Sequence, residues 1–375
     1  MQSVTMNQEL SLTKWQKKQA FLLYHFSSLK YLEGLRDRVN NIVSFAGGKI
    51  NQSRIEGRDR FLHSAQWGNR DTTENWSNNA WQFLADFQLS VTEAIAAHPS
   101  NVFSVTGTHQ CARGLSEYSM QWATLEEEEQ FDAIFAEISN YARNIDTTMQ
   151  KYNGVSWWSD FGFSLAWKEH ASTLRTIPKF RVLPDVISDN GEIPPRTGVY
   201  IATDDPNASL QFAWNCSRGG KLIPSSTFND LGLAALAAVG RSKLWVDGAA
   251  MREFVWANLS HPDLASDQYA NSSLDLALAP SVVARYAFKA RPTRWRFVEV
   301  VEEEFETVEE EVGPSSHPEP PTNQRFHAGA KCPGAGYYFT PARLDSRRWF
   351  AHGEAFPDVE SSYGKTIWQW DTRQD

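Results

Sequence analysis

Few residues in this chain are spaced for chemistry. The nine histidines are dispersed, with no spacing that would gather metal ligands. Glu169 and His170 make an acid–base pair in sequence only, because adjacent residues on a helix do not face each other. Cys332 and His352 fall within one short segment, where an imidazole could activate a thiolate. Cys332, however, precedes Pro333 in a turn, lacks a companion Asn or Asp, and has Pro194 as its counterpart in an upstream copy of the segment. A small buried hydrophobe is the simpler role for it. No GxxxxGK[ST], HExxH, GxSxG or strand-to-helix GxGxxG motif occurs. The reading is therefore not an enzyme, with no catalytic residue, cofactor or metal expected.

The charge pattern points to a protein partner instead. Seven of the ten residues from Glu302 to Glu311 are glutamate: Glu302, Glu303, Glu304, Glu306, Glu309, Glu310 and Glu311. PSSHPEPPTNQ follows, and like-charge repulsion with proline predicts a solvated linker over 302–324. Its functional counterpart is an acidic arm that steers toward a basic partner surface. A net charge of −9 disfavours nucleic acid as that partner. Fifteen tryptophans are the compositional oddity. Most belong in a core, while Trp349 and Trp368 are the candidates for exposed anchors of a partner.

The positioning elements split the chain at about residue 175, a length of 375 residues favouring two domains. Residues 1–175 read as a helical bundle. One helix spans Ser11–Phe45 and stops at Gly47-Gly48; others span Ser77–Ala97, His109–Trp122, a segment capped by the Thr124/Glu127 box, and Ser159–Ser172. From 176 to 375 the language changes to strands and turns, interrupted by helices at Phe228–Val239, Asp247–Leu259 and Leu274–Phe288, the last broken by Pro280. Thr293–Phe305 alternates as a strand whose apolar phase slips by one at Val298, predicting a bulge or cover on both faces. The expected fold is α+β: a helical domain, then a mixed domain holding two copies of a small aromatic β-unit.

Those copies, about 189–225 and 327–371, show on sliding the chain by 138 positions. Gly191 falls on Gly329, Pro195 on Pro333, Gly198 on Gly336 and Tyr200 on Tyr338, with Phe212 on Phe350 and Ala213 on Ala351 further along. GKLIP (220–224) then matches GEAFP (353–357). Pro195 and Pro333 preset a turn, Gly198 and Gly336 three residues on close it with positive φ, and Tyr200 and Tyr338 of the following strand pack inward. No apolar run is long enough for a membrane span, and no signal peptide is evident. Three scattered cysteines favour a reducing compartment, so a cytoplasmic protein is expected.

The tail GAKCPGAGYYFTPA…SRRWFAHGEAFP…YGKTIWQWD, with GEIPPRTGVY and VGRSKLWVDGAAM upstream, resembles bacterial immunity proteins of polymorphic-toxin and type VI secretion systems. Within these it is most similar to the families immunity protein 71 and immunity protein 72. The resemblance covers the C-terminal half. It implies a protein that binds and neutralises a cognate secreted toxin by occlusion, with no catalytic residues to transfer. It leaves room for a homo-oligomer. The alternatives are a ligand binder or enzyme using the aromatic β-unit as a pocket, or a secretion-system adaptor.

Overall fold

Serine and threonine hydroxyls set where the first helices begin. A computed structural model describes residues 11–63, 66, 68–151, 158–171, 176–307, 325–333, 336–340, 343, 346–351, 353–359 and 366–371, with Trp370 described by its backbone. In α1 (Lys14–Phe26) the Thr13 hydroxyl accepts from the Gln16 N–H while the Gln16 side chain accepts from the Thr13 N–H. The helix predicted to continue to Phe45 breaks instead at Ser27-Ser28. There the Ser28 hydroxyl accepts from the Tyr31 N–H and starts α2 (Leu29–Glu56). Gly47-Gly48 does not stop α2. Gly47 serves close packing, since a Cβ there would lie 3.4 Å from the Trp81 ring. The helix ends at Gly57, in the left-handed region at φ 64°.

A short α3 (Thr73–Asn75) passes through a π-helical turn, Trp76–Ala80, into α4 (Trp81–Ala97). Next come α5 (Thr108–Leu115), shorter than expected, and α6 (Leu125–Met149), which carries the predicted Thr124/Glu127 capping box. Last is α7 (Asp160–His170), capped by Ser159. Leu22, Leu35, Ile42, Leu84, Val91 and Ile138 join in one core with Val199, Phe212 and Val298 from the following sheet. The expected division at 175 runs through this core. The chain divides instead into Met1–Glu309 and Glu310–Asp375.

The strands of the first unit are β1 (Thr176–Asp189), β2 (Gly198–Ala202), β3 (Gln211–Ala213), β4 (Ser225–Phe228), β5 (Phe288–Arg291) and β6 (Arg294–Thr307). Four of them form an antiparallel sheet in the order β1-β6-β2-β3. As the slipped alternation implied, β6 is covered on both faces. Trp295 and Phe297 pack with Tyr200, Ala213 and Leu222, while Val298 joins the helical core. Strands β4 and β5 pair with each other and close an insertion holding α8 (Asp230–Val239), α9 (Gly248–Ala257), α10 (Pro262–Ser266) and α11 (Ala279–Ala284). Pro280 does not interrupt α11; it sits in its first turn, where a missing N–H costs nothing. The insertion has its own core around Met251, Val255, Val282 and Val283. It is tied to the helical half through buried Asp160, which accepts from Trp15 Nε1, Trp245 Nε1 and Arg241 Nη1, each at 2.7 Å.

The second unit holds β7 (Arg325–His327), β8 (Gly336–Phe339), β9 (Arg348–Phe350) and β10 (Ile367–Trp370), antiparallel in the order β7-β10-β8-β9. In both sheets the first strand pairs with the last, the last with the second, and the second with the third. The registers agree as well. Ser188 faces Trp295 as Phe326 faces Trp368, and Tyr200 faces Phe297 as Tyr338 faces Trp370. Gly191 and Gly329 take φ 87° and 85°, and each N–H donates over 2.7 Å to the carbonyl of Leu222 or Phe356. The two four-stranded sheets, one in each unit, are thus two copies of one strand arrangement.

The structural equivalence differs in detail from the ungapped sequence match. Gly198 pairs with Ala213 and Gly336 with Phe350, so Ala213, not Phe212, is the counterpart of Phe350. Likewise Leu222 is equivalent to Phe356, one residue from its place in the GKLIP/GEAFP match.

Candidate protein-interaction site

The glutamate run is not a linker over its first part. Glu302, Glu303, Glu304 and Glu306 lie on β6, and residues 308–324, with Glu309, Glu310 and Glu311, lie outside the described residues. The strand forms because β1 supplies both a hydrogen-bonding edge and countercharge. Pro178 pairs with Phe305 and Lys179 with Val301, so Glu302–Glu304 have no partners across the ladder and bulge outward. Glu303 holds a left-handed φ of 61°, which costs a non-glycine residue about 1 kcal/mol. Such strain is one mark of a site shaped for function.

The electrostatics of the bulge are graded. Lys17 reaches Glu306 at 2.6 Å, Lys179 reaches Glu304 at 3.0 Å, and further along the strand Arg181 reaches Glu299 at 2.5 Å. The Lys179–Glu304 pair is about half exposed on both sides and contributes little stability by itself. Glu302 and Glu303 have no ionic partner among the described residues. Beside them Phe305 is 63% exposed. An exposed aromatic next to two unpaired carboxylates, mounted on a strand held by its neighbour, makes a rigid acidic and apolar spot.

Sequence reasoning did not single out Phe305. The signal was present in RFVEVVEEEF, where Phe305 is an isolated aromatic inside the glutamates; it was masked by reading the run as solvated coil.

The two tryptophan anchors separate. Trp349 is 53% exposed, as an anchor requires. Trp368 is 1% exposed and is corrected to a core residue. It lies edge-on to Phe350 at 4.9 Å, stacks on Phe356 at 5.9 Å, and donates through Nε1 to the Pro357 carbonyl at 2.9 Å. Trp349 belongs to the second unit and the glutamate bulge to the first, so each is a surface in its own right.

The turn residues act largely as their types suggest. The left-handed turn positions are Gly191 and Gly329, not Gly198 and Gly336, which are the first residues of β2 and β8; Pro195 is exposed and Pro333 follows buried Cys332. Gly198, at φ 151°, lets the chain pass beside the Phe297 ring and the Tyr24 hydroxyl. Gly336 opens β8 as Gly198 opens β2. Tyr200 and Tyr338 are fully buried, and the Tyr200 hydroxyl donates to the Arg196 carbonyl at 2.6 Å, pinning the turn that leads into its own strand.

The residues weighed for chemistry are placed apart or against rings. Glu169 pairs with Arg143 at 3.6 Å, while the His170 ring packs on Phe26 at 5.4 Å and on His25 at 5.7 Å. His352, the partner considered for Cys332, lies outside the described residues. In the second unit Tyr338, Phe350, Phe356 and Trp368 pack against one another, so these rings fill the interior of the aromatic β-unit. Among the described residues no helix is long and apolar enough to cross a membrane.

Comparison with protein-family models, with curated proteins and with solved structures returned no match.

Proposed function

We propose that this chain is an immunity protein, acting in the cytoplasm as a stoichiometric inhibitor that binds a cognate secreted toxin of a polymorphic-toxin or type VI secretion system and occludes it. The observation that carries the reading furthest is the acidic bulge on β6: Glu302 and Glu303, unpaired, beside exposed Phe305. Fixed carboxylates accelerate encounter with a basic protein surface, and an exposed aromatic supplies apolar area once the surfaces meet. Resemblance of the tail to immunity proteins supplies the kind of partner. Trp349 is a second, separate anchor.

The test is co-expression with the toxin-like product of the neighbouring reading frame, followed by binding kinetics on the purified pair. Rescue of growth and a one-to-one complex are expected. The Glu302→Lys/Glu303→Lys variant should slow association about tenfold at low salt and flatten its salt dependence, leaving dissociation nearly unchanged. Failure to rescue overturns the immunity reading, and an unchanged association rate removes the bulge from it.

A further inference from the structure

A groove of about 320 Å³ lies on the helical half, between α5, the turn that follows it, and α6. Buried Trp76 and Phe131 line it, with half-buried Tyr118 and Phe135, and Glu128 and Asp132 complete the lining. The rings pack as a set: Trp76 meets Phe131 edge-on at 6.1 Å, and Phe131 stacks with Phe135 at 6.3 Å. Helix α6 contributes Glu128, Phe131, Asp132 and Phe135 at i, i+3, i+4 and i+7, which puts two carboxylates and two rings along one stripe.

Among the described residues neither carboxylate has an ionic partner and no basic side chain lines the groove. This differs from Glu127 next door, which turns inward to Arg58 at 2.6 Å and Lys49 at 3.2 Å. The capping-box glutamate is thus neutralised within the fold, while Glu128 and Asp132 are left for something else. Aromatic faces attract cations through the ring quadrupole, and carboxylates add charge of the sign that an organic ammonium satisfies. The volume is at the small end of ligand pockets.

We propose that this groove binds a small organic cation with an apolar body, an aryl- or alkylammonium compound, with the cationic head between Glu128 and Asp132 and the body against Tyr118 and Phe135. The site is independent of the acidic bulge and of the immunity reading.

Isothermal titration of the full chain with benzyltrimethylammonium tests it, with benzyl alcohol and phenylacetate as neutral and anionic counterparts. The cation should bind saturably and at least tenfold more tightly than either counterpart. Asp132→Asn and Glu128→Gln should each weaken it about three- to tenfold, and Phe135→Ala should weaken it further. Glu126→Gln, a change on the same first helical turn but outside the groove, should leave it unaltered. Thermal melts confirm that each variant is folded, and exposed Asp132 is the change least able to disturb folding. Absence of saturable binding overturns the proposal. So does equal binding of benzyl alcohol, or a folded Asp132→Asn/Glu128→Gln variant that keeps wild-type affinity.

Discussion

Two tryptophans of the second unit, nineteen positions apart, should respond to alanine in opposite ways. Trp368→Ala removes a side chain that is 1% exposed and contacts Phe350 and Phe356, and it leaves the Pro357 carbonyl without its donor. Large-to-small changes of this kind cost about 3–5 kcal/mol through lost transfer energy and an unfilled cavity. Among the described residues of the second unit, Glu310–Asp375, the buried cluster is Cys332, Tyr338, Phe350, Phe356 and Trp368. At roughly 0.05–0.15 kcal/mol per residue, a unit of that length holds roughly 3–10 kcal/mol in total. Trp368→Ala should therefore remove much or all of its stability. Trp349, 53% exposed, has little to lose, and Trp349→Ala should stay within about 0.5 kcal/mol of wild type. Hydrogen exchange read by mass spectrometry separates the cases. Peptides covering 325–357 should lose protection in Trp368→Ala and keep it in Trp349→Ala, while peptides from α2 and α6 stay protected in both. Retained protection across 325–357 in Trp368→Ala would refute the core assignment and return Trp368 to the surface.

Gly198→Ala would put a Cβ 2.7 Å from the Phe297 ring and 2.8 Å from the Tyr24 hydroxyl at φ 151°, so a loss of about 2–4 kcal/mol in urea unfolding is expected. Glu303→Gly relieves the left-handed strain and should raise stability by about 0.5–1 kcal/mol while slowing association with the toxin, so a faster-binding variant would contradict the role given to the bulge. For pH, burial, with His170 and Lys30 nearby, holds His25 down to about 4 from its ordinary 6.5. The unfolded chain therefore takes up a proton that the folded one refuses, and stability should fall by about 2–3 kcal/mol as pH drops from 6.5 to 4. The Arg58 guanidinium holds Glu127 down to about 2, so its contribution is complete above 4.5 and is lost as pH falls toward 2. Urea midpoints of His25→Phe should show a smaller first decline, the remainder coming from His170, which burial also holds below its ordinary value, and should keep the second.

What the sequence disclosed was what depends on near neighbours. The Thr124/Glu127 capping box is a four-residue event, and α6 starts where it says. The end of the first helix was not legible, because Ser28 caps α2 inside a continuous apolar stripe, and Gly47 was recruited to packing by Trp81, distant in sequence. The acidic run illustrates the same limit at the candidate site. Seven glutamates in ten residues read as coil while they are considered alone. Strand β1, more than a hundred residues earlier, makes part of that run a strand by pairing with it, with Lys179 and Lys17 as countercharge.

The internal repeat was visible through its turn residues and misaligned by one at β3, because the loop joining β2 to β3 is one residue longer in the first copy. Its last strand was invisible on the same diagonal, since the insertion between β3 and β6 displaces it. Structure pairs Thr293-Arg-Trp-Arg-Phe297 with Thr366-Ile-Trp-Gln-Trp370. Both threonines are buried and both hydroxyls donate to an aspartate, Thr293 to Asp204 and Thr366 to Asp358. Trp295 and Trp368 then occupy the same buried position, which explains why the second could not be an anchor.

This equivalence also separates scaffold from specificity. Everything the copies share, the left-handed glycine, the inward tyrosine, the threonine and the buried tryptophan of the last strand, serves folding. Among the described residues, what the first copy has beyond that common unit is the helical insertion of 225–291 and the length of β1 and β6, fourteen residues each against three and four described in β7 and β10. The acidic bulge sits on that extra length, past the last position paired with β2, where no requirement of the shared sheet calls for it. A surface that folding does not demand, yet which holds a strained glutamate and an exposed phenylalanine in place, is where the proposed function puts recognition. Transferring it should therefore be separable from folding. A chain in which Glu302–Glu304 are deleted, joining Val301 to Phe305, restores continuous register with Lys179 and Pro178, and it should fold with a melting temperature no lower than wild type while losing fast association with the toxin. A deletion variant that fails to fold would show the bulge to be part of the scaffold after all.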